Sequence, residues 1–475
     1  MRIHGPSDRN RLVKLGALTC GLTAAVVGLT VMTAGASTPA GDEVDRATDV
    51  AERAAATETS VRTLRLDAAA DDAEDAAGRH ADSMVRAAQS FEQLEFPSVP
   101  DDWAAAGVDL DEAEPTEDGR LIQVLPDGSK VTFTVDPELQ QRAESVINTH
   151  PVPHGSLVMI DPPTGRVLAM ADESRRDSEY QDLSVNARPP SASVFKVVTA
   201  AALMEEADQG PHDQVCFHGG TRGLTKTNIT GHPDLDNECD DLKGALSRSI
   251  NSLIAKQTYH NLSPDELLEW AERFGYNQPI PFELPVEPST ASFDDDPYET
   301  ARAAAGFWHT HLSPLHGAMI GAMLANDGVM MKPTIIERYQ CPDGEVLYEA
   351  EPQVFREVME PDTANQLAEM MEATAETGTA RNHFRNRPGF PSSINVSGKT
   401  GTLSNQNPFL RFTWFVGFAE HQQWDDHPGV AISGLMANDP EWYMIGPRAA
   451  SKGLNHYFSL EQQRRTEPED VIVSQ

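Results

Sequence analysis

Pro189-Pro190-Ser191-Ala192-Ser193-Val194-Phe195-Lys196 reads as a loop entering an apolar helix that begins near Ser193. One helical turn separates this serine from Lys196, so hydroxyl and amine lie on one face and can meet. A serine hydroxyl is a weak nucleophile that needs an adjacent base, and a helix N-terminus offers N–H groups where an oxyanion develops. Lysine is a base only when neutral. Bringing its pKa from about 10.4 toward 7–8 takes roughly 3–4 kcal/mol of destabilisation of the cation, which burial and a second nearby cation supply.

Two further stretches match that requirement. Ser249-Ile250-Asn251 lies near the start of a helical run predicted over Ala245 to Gln257, placing a hydroxyl and an amide two residues apart. Lys399-Thr400-Gly401-Thr402 follows Ile394-Asn395-Val396 in a strand context, with Thr400 and Thr402 on one face and a side-chain-free Gly401 between them. An extended peptide fits against such an edge, its carboxylate meeting the two hydroxyls, and Lys399 is the second cation. In a chain of this composition Ser-x-x-Lys arises by chance about 0.5 times, Ser-x-Asn about once and Lys-Thr-Gly on the order of 0.05 times. Taken singly, Ser193 and Lys196 read as an N-cap and a snorkelling surface lysine, and Ser249 and Asn251 as a helix cap. Their order and structural contexts together favour a catalytic set.

The surrounding chain predicts an α+β domain with an antiparallel sheet flanked by helices. Leu121 to Leu125 and Lys130 to Val135 flank Pro126-Asp127-Gly128 as a hairpin, and Asp136 to Ile147 follows as a helix. Ser156 to Ile160 and Val167 to Met170 form a second hairpin, and Trp414 to Ala419 with Val430 to Ala437 another β-rich pair. Helical spacing marks Val194 to Ala207, Leu242 to Gln257 and Pro314 to Asn326. Internal repeats, a Gly-x-Ser-x-Gly elbow and Gly-rich phosphate loops are absent from the sequence.

With these motifs the chain resembles the penicillin-binding transpeptidases and their serine β-lactamase relatives. The resemblance extends over roughly residues 121 to 460: Val131 to Asp136 with Leu139-Gln140, Gly155 to Met170, Ser313-Pro314-Leu315 through Gly328, and Trp414 to Gly417 all resemble segments of that family. Where the family tends to continue Thr-Phe-Lys after the first serine, Val194-Phe195-Lys196 keeps the essentials. The resemblance implies a penicillin-binding/β-lactamase-like transpeptidase fold and a serine acyltransferase acting on D-Ala-D-Ala ends of peptidoglycan stem peptides. Ser193 would be the nucleophile and Lys196 its base, with Ser249, Asn251 and Lys399 completing the network. Thr400, Gly401 and Thr402 would bind substrate, and the N–H groups of Ser193 and Thr402 would form the oxyanion hole. β-Lactams would be covalent inhibitors, cell-wall synthesis proteins would be partners, and neither cofactor nor metal is implied. A D,D-carboxypeptidase, a β-lactamase or β-lactam sensor, and a catalytically inactive scaffold are the alternatives on the same fold.

The remainder sets the compartment. Lys and Arg total 37 against 73 Asp and Glu, a formal charge of -36, so most of the surface repels nucleic acid. Residues 1–14 form a basic cytoplasmic tail, and residues 15–36 carry no charge and are long enough to span a bilayer, exporting everything beyond. Ala34-Gly35-Ala36 also has the form of a processing site, so a retained anchor and a cleaved signal both stay open. Residues 37–120 read as an acidic, Ala-rich helical stalk or reduced pedestal, and residues 121–475 as the transpeptidase domain of a class B-like enzyme. Export to an oxidising space makes Cys216 and Cys239 a candidate disulfide, with two buried thiols as the alternative. His309, His311 and His316 read as exposed or capping rather than metal ligands, Asp294-Asp295-Asp296 as a solvated loop, and Trp308, Trp414 and Trp442 as core or rim aromatics.

Overall fold

Apolar runs buried on both faces build the central sheet. A computed structural model describes residues 99–466 except 101, 177, 221, 222, 408, 425 and 428. Five strands, β1 (His154–Ile160), β2 (Val167–Ser174), β3 (Ile394–Gln406), β4 (Phe409–His421) and β5 (Val430–Asn438), pair antiparallel in the order β3-β4-β5-β1-β2. The predicted β-rich pairs are thus present and longer than anticipated. Leu121–Val124 also pairs antiparallel with Lys130–Phe133, as the turn at Pro126-Asp127-Gly128 predicts, and Ile336–Gln340 pairs with the second of these strands.

Alternate residues of the sheet serve two layers. Leu157, Met159, Ile432 and Met436 share a core with α1 (Pro137–Asn148) and with Ala449, Leu454 and Phe458 of the long helix ending at Thr466. Each fully buried Leu, Ile or Phe there contributes about 1.5–3 kcal/mol, which is why β1 and β5, buried at every position, are mostly apolar, whereas the outer strand β3 is largely polar. Val416 and Ser433, at the intervening positions, face the helix Pro314–Ala325, buried at every position except its last. A Cβ on Gly321 would lie 2.4 Å from the Gly417 carbonyl oxygen, so this helix reaches the sheet backbone only because that position lacks a side chain. His316 sits in its first turn, wholly buried, with Nε2 2.8 Å from the Phe274 carbonyl. That corrects the expectation of an exposed or capping histidine, because this helix is packed all round. His309 is exposed, and Asp294 to Asp296 form an exposed loop in which Asp296 caps Pro297–Ala304.

The remaining site-bearing helices, numbered in chain order after α1, are α2 (Lys196–Glu206), α3 (Leu242–Arg248), α4 (Asn251–Asn261), α5 (Pro314–Ala325), α6 (Pro361–Glu376) and α7 (Gly446–Thr466). The single helix predicted over Ala245 to Gln257 is not continuous. After α3, Ser249 turns left-handed (φ 56°, ψ 49°), Ile250 is extended, and α4 starts at Asn251. The cause is tertiary: the Thr379 amide donates to the Ser247 carbonyl at 3.1 Å, occupying the acceptor that a continuing helix would use.

Cys216 and Cys239 are joined as a disulfide across the short pair Val215–Phe217 and Glu238–Asp240. The described residues fall into two units, and the larger, comprising Pro100–Leu125, Lys130–Gln340 and the residues from Tyr348 onward, holds the central sheet. In the smaller, Asp127 accepts from the Ser129 amide at 2.9 Å, closing its turn. The predicted spanning segment and the Ala-rich helical stretch up to Gln93 lie outside the described residues. Among the described residues no helix is long and apolar enough to cross a membrane.

Candidate active site

The turn before α2 is held from three directions. Trp414 Nε1 of β4 donates to the Pro190 carbonyl at 2.9 Å, and Phe195 is buried against Tyr276 and Phe293. Gly306 presses on the same backbone: a Cβ there would stand 2.4 Å from the Ala192 carbonyl oxygen and 2.8 Å from the Ser193 nitrogen. Ala192 itself is left-handed, with φ 50°. Such a conformation costs an L-residue about 1–2 kcal/mol, and here packing enforces it immediately before the serine.

Lys196 is fully buried, its Nζ 2.8 Å from Ser193 Oγ and 2.8 Å from Asn251 Oδ1, and it donates to the Ala305 carbonyl. Burial first, and the charge of Lys399 second, hold its ammonium well below the ordinary lysine range. A neutral amine has two N–H bonds and one lone pair. Asn251 and Ala305 accept the two hydrogens, which leaves the lone pair for the Ser193 hydroxyl proton. The arrangement is therefore that of a general base beside its nucleophile.

Lys399 is also fully buried and donates to Ser249 Oγ at 3.1 Å and to the Thr400 carbonyl at 2.9 Å. Burial pushes it down to about 7. The break between α3 and α4 aims Ser249 at this lysine and Asn251 at Lys196, so three segments distant in sequence meet in one place. Among the described residues β3 is the outer strand of the sheet, paired with β4 alone. Gly401 is buried where a Cβ would meet Val194 Cγ2 and the Trp414 side chain at 3.2 Å, while Thr402 is exposed and Thr400 partly so. All eight candidate residues thus belong to one neighbourhood. A groove of about 540 Å³ opens over them, lined among others by Ser193, Asn251, Thr379, His383, Thr402 and Trp442. A smaller depression of about 70 Å³, lined by Glu372, Phe384 and Arg385, contains none of the eight.

Sequence reasoning missed several lining residues. Thr379 Oγ1 bonds Thr400 Oγ1 at 2.6 Å, and Thr377-Gly378-Thr379 repeats the Thr-Gly-Thr of β3, a signal that could have found it. Ala305 and Gly306 act through backbone and leave no such trace. Trp442 proves to be a rim aromatic, 55% exposed, whereas Trp414 is core. Trp308 is exposed as well.

Residues 155–443 match the family model of the penicillin binding protein transpeptidase domain. The chain belongs to this family. The family resemblance carried by the three motifs and the α+β fold expected from the strand and helix patterning are therefore borne out. The peptidoglycan D,D-transpeptidase PbpA of Mycolicibacterium smegmatis is 26% identical over 348 residues, covering 66% of this chain and 68% of that protein. The penicillin-binding protein PbpB of the same organism is 25% identical over 354 residues, covering 69% of this chain and 52% of that protein. Among solved structures, the D,D-transpeptidase domain of a peptidoglycan glycosyltransferase from Eggerthella lenta aligns with TM-score 0.60 at 23% identity, covering 75% of this chain and 92% of that one. A ceftriaxone acyl-enzyme complex of penicillin-binding protein A from M. tuberculosis aligns with TM-score 0.57 at 23% identity, covering 70% and 80%. These structural likenesses establish the shared fold of a penicillin-binding transpeptidase.

Proposed function

We propose that the chain is a class B-like peptidoglycan D,D-transpeptidase that cross-links stem peptides through an acyl-serine intermediate and is inhibited by β-lactams. The observation that carries this reading is the buried Lys196 Nζ standing 2.8 Å from Ser193 Oγ with two acceptors, Asn251 Oδ1 and the Ala305 carbonyl, on its other sides and the charge of Lys399 acting on it. Ser193 Oγ attacks the carbonyl of the penultimate D-Ala, and its proton passes to Lys196 Nζ. The oxyanion forms against the backbone N–H groups of Ser193 and Thr402, while Thr400, Thr402 and Lys399 hold the terminal carboxylate. Collapse breaks the peptide bond, and D-Ala leaves with the proton returned from Lys196, Ser249 standing between the two lysines as a relay. An amine from a neighbouring stem then attacks the ester, and water in its place gives the carboxypeptidase reaction. In a β-lactam the leaving nitrogen stays tethered, so the adduct persists.

The N-terminal segment anchors the chain in the bacterial membrane and residues 37–120 act as a stalk, placing residues 121–475 on the extracytoplasmic side. Two measurements test the activity: the lifetime of a fluorescent penicillin adduct, and D-Ala release from a synthetic stem peptide. A long-lived adduct with D-Ala release supports the reading. Rapid turnover of the adduct would identify a β-lactamase, and no adduct at all would identify an inactive scaffold.

A further inference from the structure

Acids make up 73 of the 475 residues, yet none falls between Thr377 and Ala419 or between Trp442 and Leu460. These two stretches supply β3, β4 as far as Ala419, the loop after α6 and the N-terminal part of α7. They come together beside the groove: Ser451 Oγ of α7 donates to the His383 carbonyl at 2.6 Å, and His383 and Pro447 both line the groove. The loop brings Arg387, and α7 brings Arg448 and Lys452 one turn apart on a single face.

Two halves of α7 show how unusual this strip is. Toward its C-terminal end Arg464 pairs with Asp136 and Glu461, and Arg465 with Asp426. Toward its N-terminal end neither Arg448 nor Lys452 has a carboxylate partner among the described residues, and the same holds for Arg387. Burial, and next the charges of Arg448, Arg142 and Arg387, hold the Lys452 ammonium below its ordinary range. Burial and Arg448 do the same to Arg387. The strip ends near His456, where Glu138 and Asp136 bring negative charge back. A chain with so large an acid excess has kept acids out of one strip, left its cations crowded, and run it into the groove. Mutual repulsion of that kind is relieved by an anion.

We propose that this strip holds the carboxylate or phosphate groups of the wall polymer as it leaves the groove, with Arg387, Arg448 and Lys452 as the binding cations. The proposal deepens the transpeptidase reading and rests on it. Continuity with the groove favours a polymer that is also the substrate over an acidic protein partner.

The test is cosedimentation of the full chain with purified peptidoglycan sacculi, read alongside labelling by a fluorescent penicillin small enough not to reach the strip. The triple variant R387Q/R448Q/K452Q is expected to bind sacculi about tenfold more weakly while penicillin labels it at the parent's rate. The charge-keeping R387K/R448K/K452R is expected to bind within about twofold of the parent, and parent binding is expected to fall as salt rises from about 0.05 to about 0.5 M. Sacculi stripped of phosphate polymers by hydrofluoric acid separate the two anion sources: retained binding assigns carboxylates, lost binding assigns phosphates. Triple-variant binding equal to the parent's, parent binding indifferent to salt, or preference for a polyglutamate peptide over sacculi would each overturn the proposal. If penicillin fails to label the parent while the triple variant still loses sacculus binding, the transpeptidase reading falls and the strip stands.

Discussion

Two serines reach one pocket by different local devices. In the turn before α2 the left-handed residue is Ala192, and the candidate nucleophile Ser193 follows it; at the end of α3 the left-handed residue is Ser249 itself. In the first region backbone strain and chemistry belong to neighbouring residues and can be varied separately. In the second they belong to one residue, so no single change there alters the backbone without also altering the hydroxyl. Packing pays for both departures: Gly306 and Trp414 fix the first, and Thr379 captures the Ser247 carbonyl at the second.

The largest expected effect lies in the first region. K196M is expected to lower the rate of penicillin acylation by about 10²–10⁴-fold, the usual contribution of a general base, with the fold unchanged by circular dichroism. At the second region, S249A and S249G are each expected to slow acylation by roughly 10–100-fold through loss of the relay hydroxyl. Thermal unfolding should then separate the pair, the glycine variant being more stable than the alanine variant by roughly 0.5 kcal/mol, because glycine's free acceptance of a positive φ outweighs its larger unfolded-chain entropy. Equal stabilities would remove strain from the account of Ser249.

The lysines give each region a pH signature. Acylation by free enzyme is expected to rise with pH as Lys196 loses its proton, then to fall above about 7 as Lys399 loses the charge that draws in a carboxylate. K399R, which stays charged, is expected to abolish the descending limb. Stability follows the opposite logic to a salt bridge. Folding depresses the Lys399 pKa from 10.5 to about 7, so between those values the unfolded chain binds more protons and stability rises with pH. Chemical denaturation at pH 7 and 9 checks the sign.

The smallest effect isolates strain from chemistry. A192G relieves about 1–2 kcal/mol of left-handed strain but adds about 0.5–1 kcal/mol of unfolded-chain entropy. A net gain of roughly 0.5 kcal/mol is expected, visible as a small rise in Tm, with acylation within about threefold of the parent.

The contrast between these regions also explains what the sequence revealed. Strands buried on both faces wrote themselves as apolar runs from Ser156 to Ile160 and from Val430 to Ala437, and Pro314 to Asn326 announced a buried helix. The motif residues could be singled out because the proposed reaction would need Ser193, Lys196, Asn251 and Lys399 in that order and context, and the fold brings them together. The helix break at Ser249 was not legible, because neither glycine nor proline marks it and its cause is Thr379, 130 positions away in the chain. Ala305 was hidden for a related reason: it contributes a carbonyl, which every residue has. The two acid-free stretches could be read in the sequence, but their meeting in space, through bonds such as Ser451 to His383 and Gly446 to Thr413, could not.

Peptide mapping by mass spectrometry after benzylpenicillin treatment tests the pairing of Ser193 with an uncharged Lys196 most directly. A single adduct of the drug's mass on the peptide containing Ser193, absent from K196M treated identically, is the expected result. An adduct on any other residue, or undiminished modification of Ser193 when Lys196 is methionine, would contradict it.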